Sequence, residues 1–139
     1  MAKNPVPQGK YKPAVRYGNL IITAGMTPRK DGVLMMAGKI RTGEPLDTYR
    51  EAVTQAAANA LVAAENCLAE GEKIAQVMAM TVYVNADPDY TAHPKVGDIA
   101  SEYLFDKLGE AGACARAAVG VATLPSDAPV EIQLTVMVG

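Results

Sequence analysis

The chain has 139 residues, half of them apolar; that length excludes a two-domain enzyme and allows a core that needs no disulfide or metal staple. Thirteen basic residues against fifteen acidic ones leave a formal net charge of -2, so nothing pulls the protein as a whole toward phosphate backbones or anionic lipid. His93 is the only histidine, and Cys67 and Cys114 have no neighbour at ligand spacing, which argues against a metal site and leaves His93 as the one base open to a histidine triad.

Residues 1–8 lack the apolar centre of a signal peptide, and no run approaches a membrane span, so a cytoplasmic protein with reduced, structural cysteines is predicted. After a lead-in with Pro5, Pro7 and Pro13, Leu20 to Thr23 is a short apolar strand bounded by Gly18-Asn19 and Gly25. Residues 33–36 are expected to pair with it across the turn composition of residues 28–32, making 15–38 a hairpin-like unit. Thr48-x-x-Glu51 is a capping-box pattern, followed by apolar residues at 53, 56, 57, 60, 61, 64, 67 and 68. That is the spacing of one helix face, with Gly71 as its stop. The alanines at 56–58 favour helix and let it lie close to a sheet.

Residues 74–84 are dominated by β-branched and apolar residues without Gly or Pro and end at a strong turn signal, the pattern of a central strand. Strict alternation sets Val77, Ala79, Thr81 and Tyr83 against Met78, Met80, Val82 and Val84, so both faces are expected to be covered. A helix follows Pro94, burying Val96, Ile99, Ala100, Tyr103, Leu104 and Leu108, and Gly109 or Gly112 ends it. Residues 115–121 and 130–138 are the last two strands, read as a hairpin about residues 123–127.

The order is β-β-α-β-α-β-β, an α+β architecture. Without a composition break or repeat, residues 1–139 are expected to form a single domain. Two helices cover one side of the sheet. The other side, to which Arg116, Ala118, Gly120, Thr135 and Met137 are assigned, is too apolar to face water, so another chain is expected to cover it.

Arg116 stands among small and apolar strand residues. Its planar fork suits a carboxylate, and the competing reading is a structural arginine paired with a carboxylate of its own or a neighbouring chain. Glu131, on the non-core face of the last strand, is placed nearer Gly120 than Arg116 by the hairpin register. It could position water or move protons, or stand simply as a solvated glutamate. Tyr11, Tyr17 and Tyr83 are further candidates, each more commonly a packing residue with a wet hydroxyl. His93, in a loop, reads as solvated. Phosphate-binding glycine loops and the Gly-x-Ser-x-Gly elbow are missing, which leaves cofactor-free acid–base or hydrolytic work on a small molecule, or binding alone.

Two segments carry a resemblance. A-R-A-A-V-G-V-A-T-L-P from Ala115 to Pro125, followed by P-V-E-I from Pro129, resembles the C-terminal signature of the Rid (YjgF-type) family. Y-K-P-A-V-R-Y-G-N-L-I-I-T-A-G from Tyr11 to Gly25 is similar to that family's first strand region. The resemblance implies a chorismate-mutase-like α+β fold that assembles as a homotrimer with clefts between subunits. It also implies hydrolysis of reactive enamine and imine acids, such as 2-aminoacrylate and 2-iminopropanoate, to a 2-keto acid and ammonia, with no cofactor. Arg116 would then bind the carboxylate, Glu131 would orient or activate water, and Tyr11 would close the cleft. Gly25, Ala24 and Ala118 would line it.

The chain departs from the family pattern at Ala24, where serine is common, at Ala118, where cysteine is common, and at Gly97, where a helix asparagine is common. Segments 35–42 and 91–95 look longer than in the best-known deaminases, as in a longer subgroup of the family. Lost polar side chains leave the carboxylate anchor in place but change what the pocket can hydrogen-bond. The rival reading is a non-catalytic, chaperone-like or small-carboxylate-binding trimer. RNA cleavage is disfavoured, since an acidic balance and a single Phe offer neither a phosphate platform nor stacking surfaces.

Overall fold

The computed structural model describes residues 2–139. Its main element is a five-stranded mixed sheet formed by β1 (Ala14–Tyr17), β2 (Leu20–Thr23), β5 (Ile74–Asn85), β6 (Ala115–Val121) and β7 (Val130–Val138). The spatial order is β1-β2-β7-β5-β6. A separate two-stranded ribbon joins β3 (Arg29–Lys30) to β4 (Val33–Leu34). Helices α1 (Arg50–Glu65) and α2 (His93–Leu108) pack on one face of the large sheet, α1 over β2 and β7, α2 over β5 and β6.

The first hairpin differs from expectation. β2 pairs with β1, Tyr17 opposite Leu20, and not with residues 33–36. Gly18-Asn19 closes a two-residue turn, and Gly18 takes the positive φ of 60° that such a turn demands. Asp31 and Gly32, at φ 53° and 81°, close an equally tight turn for β3 and β4. Two short closures cost less chain entropy than the single longer one proposed from sequence.

The helices form where periodicity puts them, but the capping box does not. Thr48 lies inside a 3-10 turn, Leu46–Tyr49, and α1 begins behind Tyr49 with no side-chain cap. Tyr49 is instead buried, and its hydroxyl accepts the Arg41 N–H at 2.9 Å. The alanines Ala52, Ala56, Ala57, Ala60, Ala63 and Ala64 are buried against the sheet. α1 stops at Glu65, before Cys67 and Leu68, and Gly71 at φ 82° serves the following turn. α2 carries Pro94 in its first turn and ends at Gly109, φ 62°. Val96, Ile99, Ala100 and Leu104 are buried as expected, whereas Tyr103 and Leu108 are only half-buried.

β5 breaks strict alternation. Register shifts between Ile74 and Gln76 and between Val77 and Ala79 put Val77 in the core beside Met80, Val82 and Val84, and leave Met78 and Ala79 exposed together. Each shift inserts a residue and reverses the facing of what precedes it.

The larger correction is topological. β6 and β7 are not a hairpin, because β5 lies between them, parallel to β6 and antiparallel to β7. The connecting segment crosses the end of β5. There the fully buried Asn85 donates to Asp127 Oδ1 and to the Ala128 carbonyl, each at 3.0 Å, and accepts from Lys39 Nζ at 2.8 Å.

Register then decides which face each side chain occupies. Met80, Val82 and Val84 are core residues, and Arg116, Ala118 and Gly120 lie beside them in the parallel ladder. These three therefore face the helices, not the open side to which the sequence reading assigned them. Thr135 and Met137 do lie on the open face, since they alternate with the buried Leu134, Val136 and Val138. One row there runs Val15, Ile22, Thr135, Ala79 and Ala115 across all five strands. Exposed Tyr17, Leu20, Met78 and Val119 extend it into a broad apolar surface.

Candidate active site

Arg116 leaves β6 toward α2, and its guanidinium lies on the first turns of that helix. Nη1 donates to Asp98 Oδ1 at 3.0 Å and to Ser101 Oγ at 2.9 Å, while Nη2 donates to the Pro94 carbonyl at 3.2 Å. Only a glycine fits beneath it, because a Cβ at residue 97 would sit 2.8 Å from Arg116 Cζ. A helix asparagine at that position is thus incompatible with this placement of the arginine. The side chain keeps 21% exposure. Two of the five guanidinium donors, Nε–H and one Nη2–H, have no partner among the described residues.

The own-chain carboxylate considered for Arg116 thus exists, and it is Asp98. Sequence reading did not find it, nor Ser101 and the role of Gly97. The available signal was the i, i+4, i+8 series His93, Gly97, Ser101, which marks one stripe of α2. That stripe lies along β6. A Cβ at Gly120 would come 2.6 Å from His93 Nε2, so His93 occupies the space over Gly120 as the guanidinium occupies the space over Gly97. His93 is half-buried rather than solvated, with Tyr90 packed edge-on against its ring at 5.4 Å between centroids. Ala118 lies between the two polar groups along the strand.

Glu131 lies elsewhere. Its β-ladder partner is Tyr83, itself opposite Val119, and all three lie on the open face. Along the strand axis Glu131 is indeed level with the Gly120 end of β6, but two strands away and on the opposite side of the sheet from Arg116. One chain therefore does not bring Arg116 and Glu131 into a common site. Gly25 packs against the carboxylate so closely that a Cβ there would lie 2.8 Å from Glu131 Cδ. Met26 fixes this approach by exchanging backbone hydrogen bonds with Ile132, at 2.7 and 2.9 Å. Burial raises the Glu131 pKa above the ordinary 4.5, because desolvation penalises the charged form. Neither of its carboxylate oxygens meets a hydrogen-bond donor among the described residues.

Tyr11 sits on the Gly25 side, at 47% exposure, its hydroxyl accepting the Gln8 N–H at 3.0 Å. With Gly25, Arg29, Asn59 and the N-terminal segment it lines a groove of about 320 Å³. Ala24 is tied by its N–H to the Pro13 carbonyl at 2.8 Å. The site residues expected from sequence thus fall into two groups: Arg116 and Ala118 against α2, and Tyr11, Ala24, Gly25 and Glu131 around the Met26–Ile132 bridge. Tyr17 is 88% exposed on the apolar open face.

A family model described as Endoribonuclease L-PSP matches residues 1–138. The chain belongs to this family, which is also the YjgF or Rid family. Among curated relatives, "Protein TCP17" of Trypanosoma cruzi is 28% identical over 94% of this chain and 82% of its own length. A "2-iminobutanoate/2-iminopropanoate deaminase" of Dermatophagoides farinae is 29% identical over 96% of this chain and 90% of its own. Among solved structures, protein Atu1372 of Agrobacterium tumefaciens, described as of unknown function, superposes with a TM-score of 0.84 at 31% identity. That match covers 96% of this chain and 86% of the other. The Rid fold, with two helices on one face of a mixed sheet, is the one expected from sequence. No helix among the described residues is long and apolar enough to cross a membrane.

Proposed function

We propose that this Rid protein hydrolyses small reactive enamine and imine acids of the 2-aminoacrylate and 2-iminopropanoate type to a 2-keto acid and ammonia. The reaction takes place in clefts between the subunits of a homotrimer, without a cofactor. The observation that carries this reading is the division of the site. A cation with two unspent donors lies on one face of the sheet, and a desolvated carboxylate with no donor lies on the other. Each is half of what the reaction needs, and a second copy can bring the halves together.

In such a cleft Arg116 holds the substrate carboxylate through Nε–H and the free Nη2–H, a charge-assisted fork. Glu131, kept basic yet reluctant to stay charged by its burial, takes a proton from water as that water adds to the imine carbon. Holding the two reactants in register supplies much of the acceleration, since the uncatalysed hydrolysis is already feasible. Tyr11, beside Gly25, closes the cleft.

The second reading, a carboxylate-binding trimer without catalysis, draws support from Asp98, which already neutralises Arg116 within the chain. The two are separated by measuring keto acid and ammonia release while 2-aminoacrylate or other imino acids are generated in situ. Acceleration over the spontaneous rate, lost in Arg116→Ala and in Glu131→Gln, supports the enzyme. No acceleration with any imino acid, together with Arg116-dependent keto acid binding, supports the binder. RNA cleavage, the activity in the family model's description, has weaker support, because a net charge of -2 and a single Phe favour neither phosphate binding nor base stacking.

A further inference from the structure

Resting on that deaminase reading, we propose that His93 is the second polar group of the Arg116 half-site, touching the nitrogen end of the substrate and passing it a proton. His93 and Gly97 are one helical turn apart on the same stripe of α2, which separates the imidazole from the guanidinium seat by about 6 Å. Between them on β6 stands Ala118, half-buried and packed against the core. Glycine lies below both groups, at 97 and 120, and lets the guanidinium and the imidazole rest directly on the backbone. The ring is oriented by Tyr90, whose own N–H is held by the Asp87 carbonyl at 3.0 Å. No group among the described residues hydrogen-bonds to either imidazole nitrogen, so both remain free for a ligand. A separation of this size suits a three- or four-carbon acid with its carboxylate on Arg116 and its 2-amino or 2-imino nitrogen toward His93.

Water adds through its oxygen to C2 of the protonated imine while Glu131 removes one of its protons, giving a neutral carbinolamine. The imidazolium of His93 donates a proton to the amino nitrogen, the C2–N bond breaks with its electron pair leaving on ammonia, and the hydroxyl at C2 loses its proton as the keto acid forms. The hydroxyl proton recharges His93 and Glu131 passes the proton it took to the departing ammonia, so both groups are restored and the net reaction is protonated imine plus water to keto acid plus ammonium.

Two measurements on the full-length protein test this. The first is turnover of His93→Gln, with circular dichroism and melting temperature checking that α2 still forms. The expected result is a fall in kcat of about 100-fold, in the range of a lost general acid, with KM changed less than about threefold. In His93→Ala, added imidazole is expected to restore part of the rate. Wild-type turnover with a His93→Gln rate within twofold of it would overturn the proposal.

The second uses the fact that His93 is the only histidine in the chain, so its imidazole gives one isolated set of NMR signals. Saturating pyruvate is expected to shift them in the wild type but not in Arg116→Gln. Unshifted signals in a wild type that binds pyruvate would also overturn the proposal. Failure of the deaminase reading itself looks different. The wild type then accelerates no imino acid, which refutes the proton role of His93 as well, while the NMR shift still reads whether His93 touches the ligand.

Discussion

Glu131 carries an electrostatic cost that glutamine would not. Its folded-state pKa lies above 4.5 because of burial, so below that value folded and unfolded chains are both protonated and nothing is lost. As pH rises through the raised pKa, the unfolded chain ionises freely and the folded chain does so against desolvation, so stability falls across that window. Glu131→Gln is therefore expected to melt higher than the wild type at pH 7 and at the same temperature at pH 3, while deamination is lost. Differential scanning calorimetry at the two pH values checks this, and an unchanged difference between them would remove the burial argument. At this scale the sequence was legible only in part. The identities of Arg116 and Glu131 follow from residue type and motif. Asp98, Ser101 and His93 do not, because their contacts exist only once α2 lies antiparallel across β6, and local periodicity does not encode that crossing.

Among the elements, the edge strand β1 is fastened by a single ion pair. Arg16 donates from Nη2 to Glu72 Oε2 at 2.8 Å and from Nη1 to the Cys67 carbonyl at 3.1 Å, tying β1 to the turn that follows α1. The Arg16 hydrogen bond, aided by the Ala69 N–H, brings the Glu72 carboxyl from 4.5 down to about 2. A lowered carboxylate stabilises the fold fully above its unfolded value and loses that effect as pH falls from about 4.5 to 2. Glu72→Gln is expected to flatten the acid limb of the stability curve in this interval, and an acid limb identical to the wild type's would refute the assignment. Asn85 holds the segment that crosses the end of β5, and Asn85→Ala leaves buried partners unpaired. A loss of about 3 kcal/mol in urea unfolding is expected, as for more than one unsatisfied buried group. Strand and helix positions were readable from alternation and 3.6-residue spacing. The bulges in β5 and the insertion of β5 between β6 and β7 were not, since hydrophobic pattern says which residues are strand but not which strands are neighbours.

For the molecule as a whole, the open face bearing Val15, Tyr17, Leu20, Ile22, Met78 and Val119 is the surface on which the proposed trimer rests. An apolar patch of this breadth on an isolated monomer would be unusual. Ile22→Lys sets a charge at its centre and is expected to shift light scattering from trimer to monomer and to abolish turnover with it; a fully active monomer would refute both the assembly and the divided site. The sheet order also governs how the chain comes to be folded. β7 is last in sequence yet third of five in space, with β2 on one side and β5 on the other. Until it arrives, β1-β2 and β5-β6 are two separate ribbons with half a core each, and the pairing of Ile21 with Val136 must close a loop of more than a hundred residues. The sheet therefore gains cooperative stability only once β7 has joined the two ribbons. Until then the apolar ribbons stand exposed, and the partly folded chain is the form most dependent on chaperones.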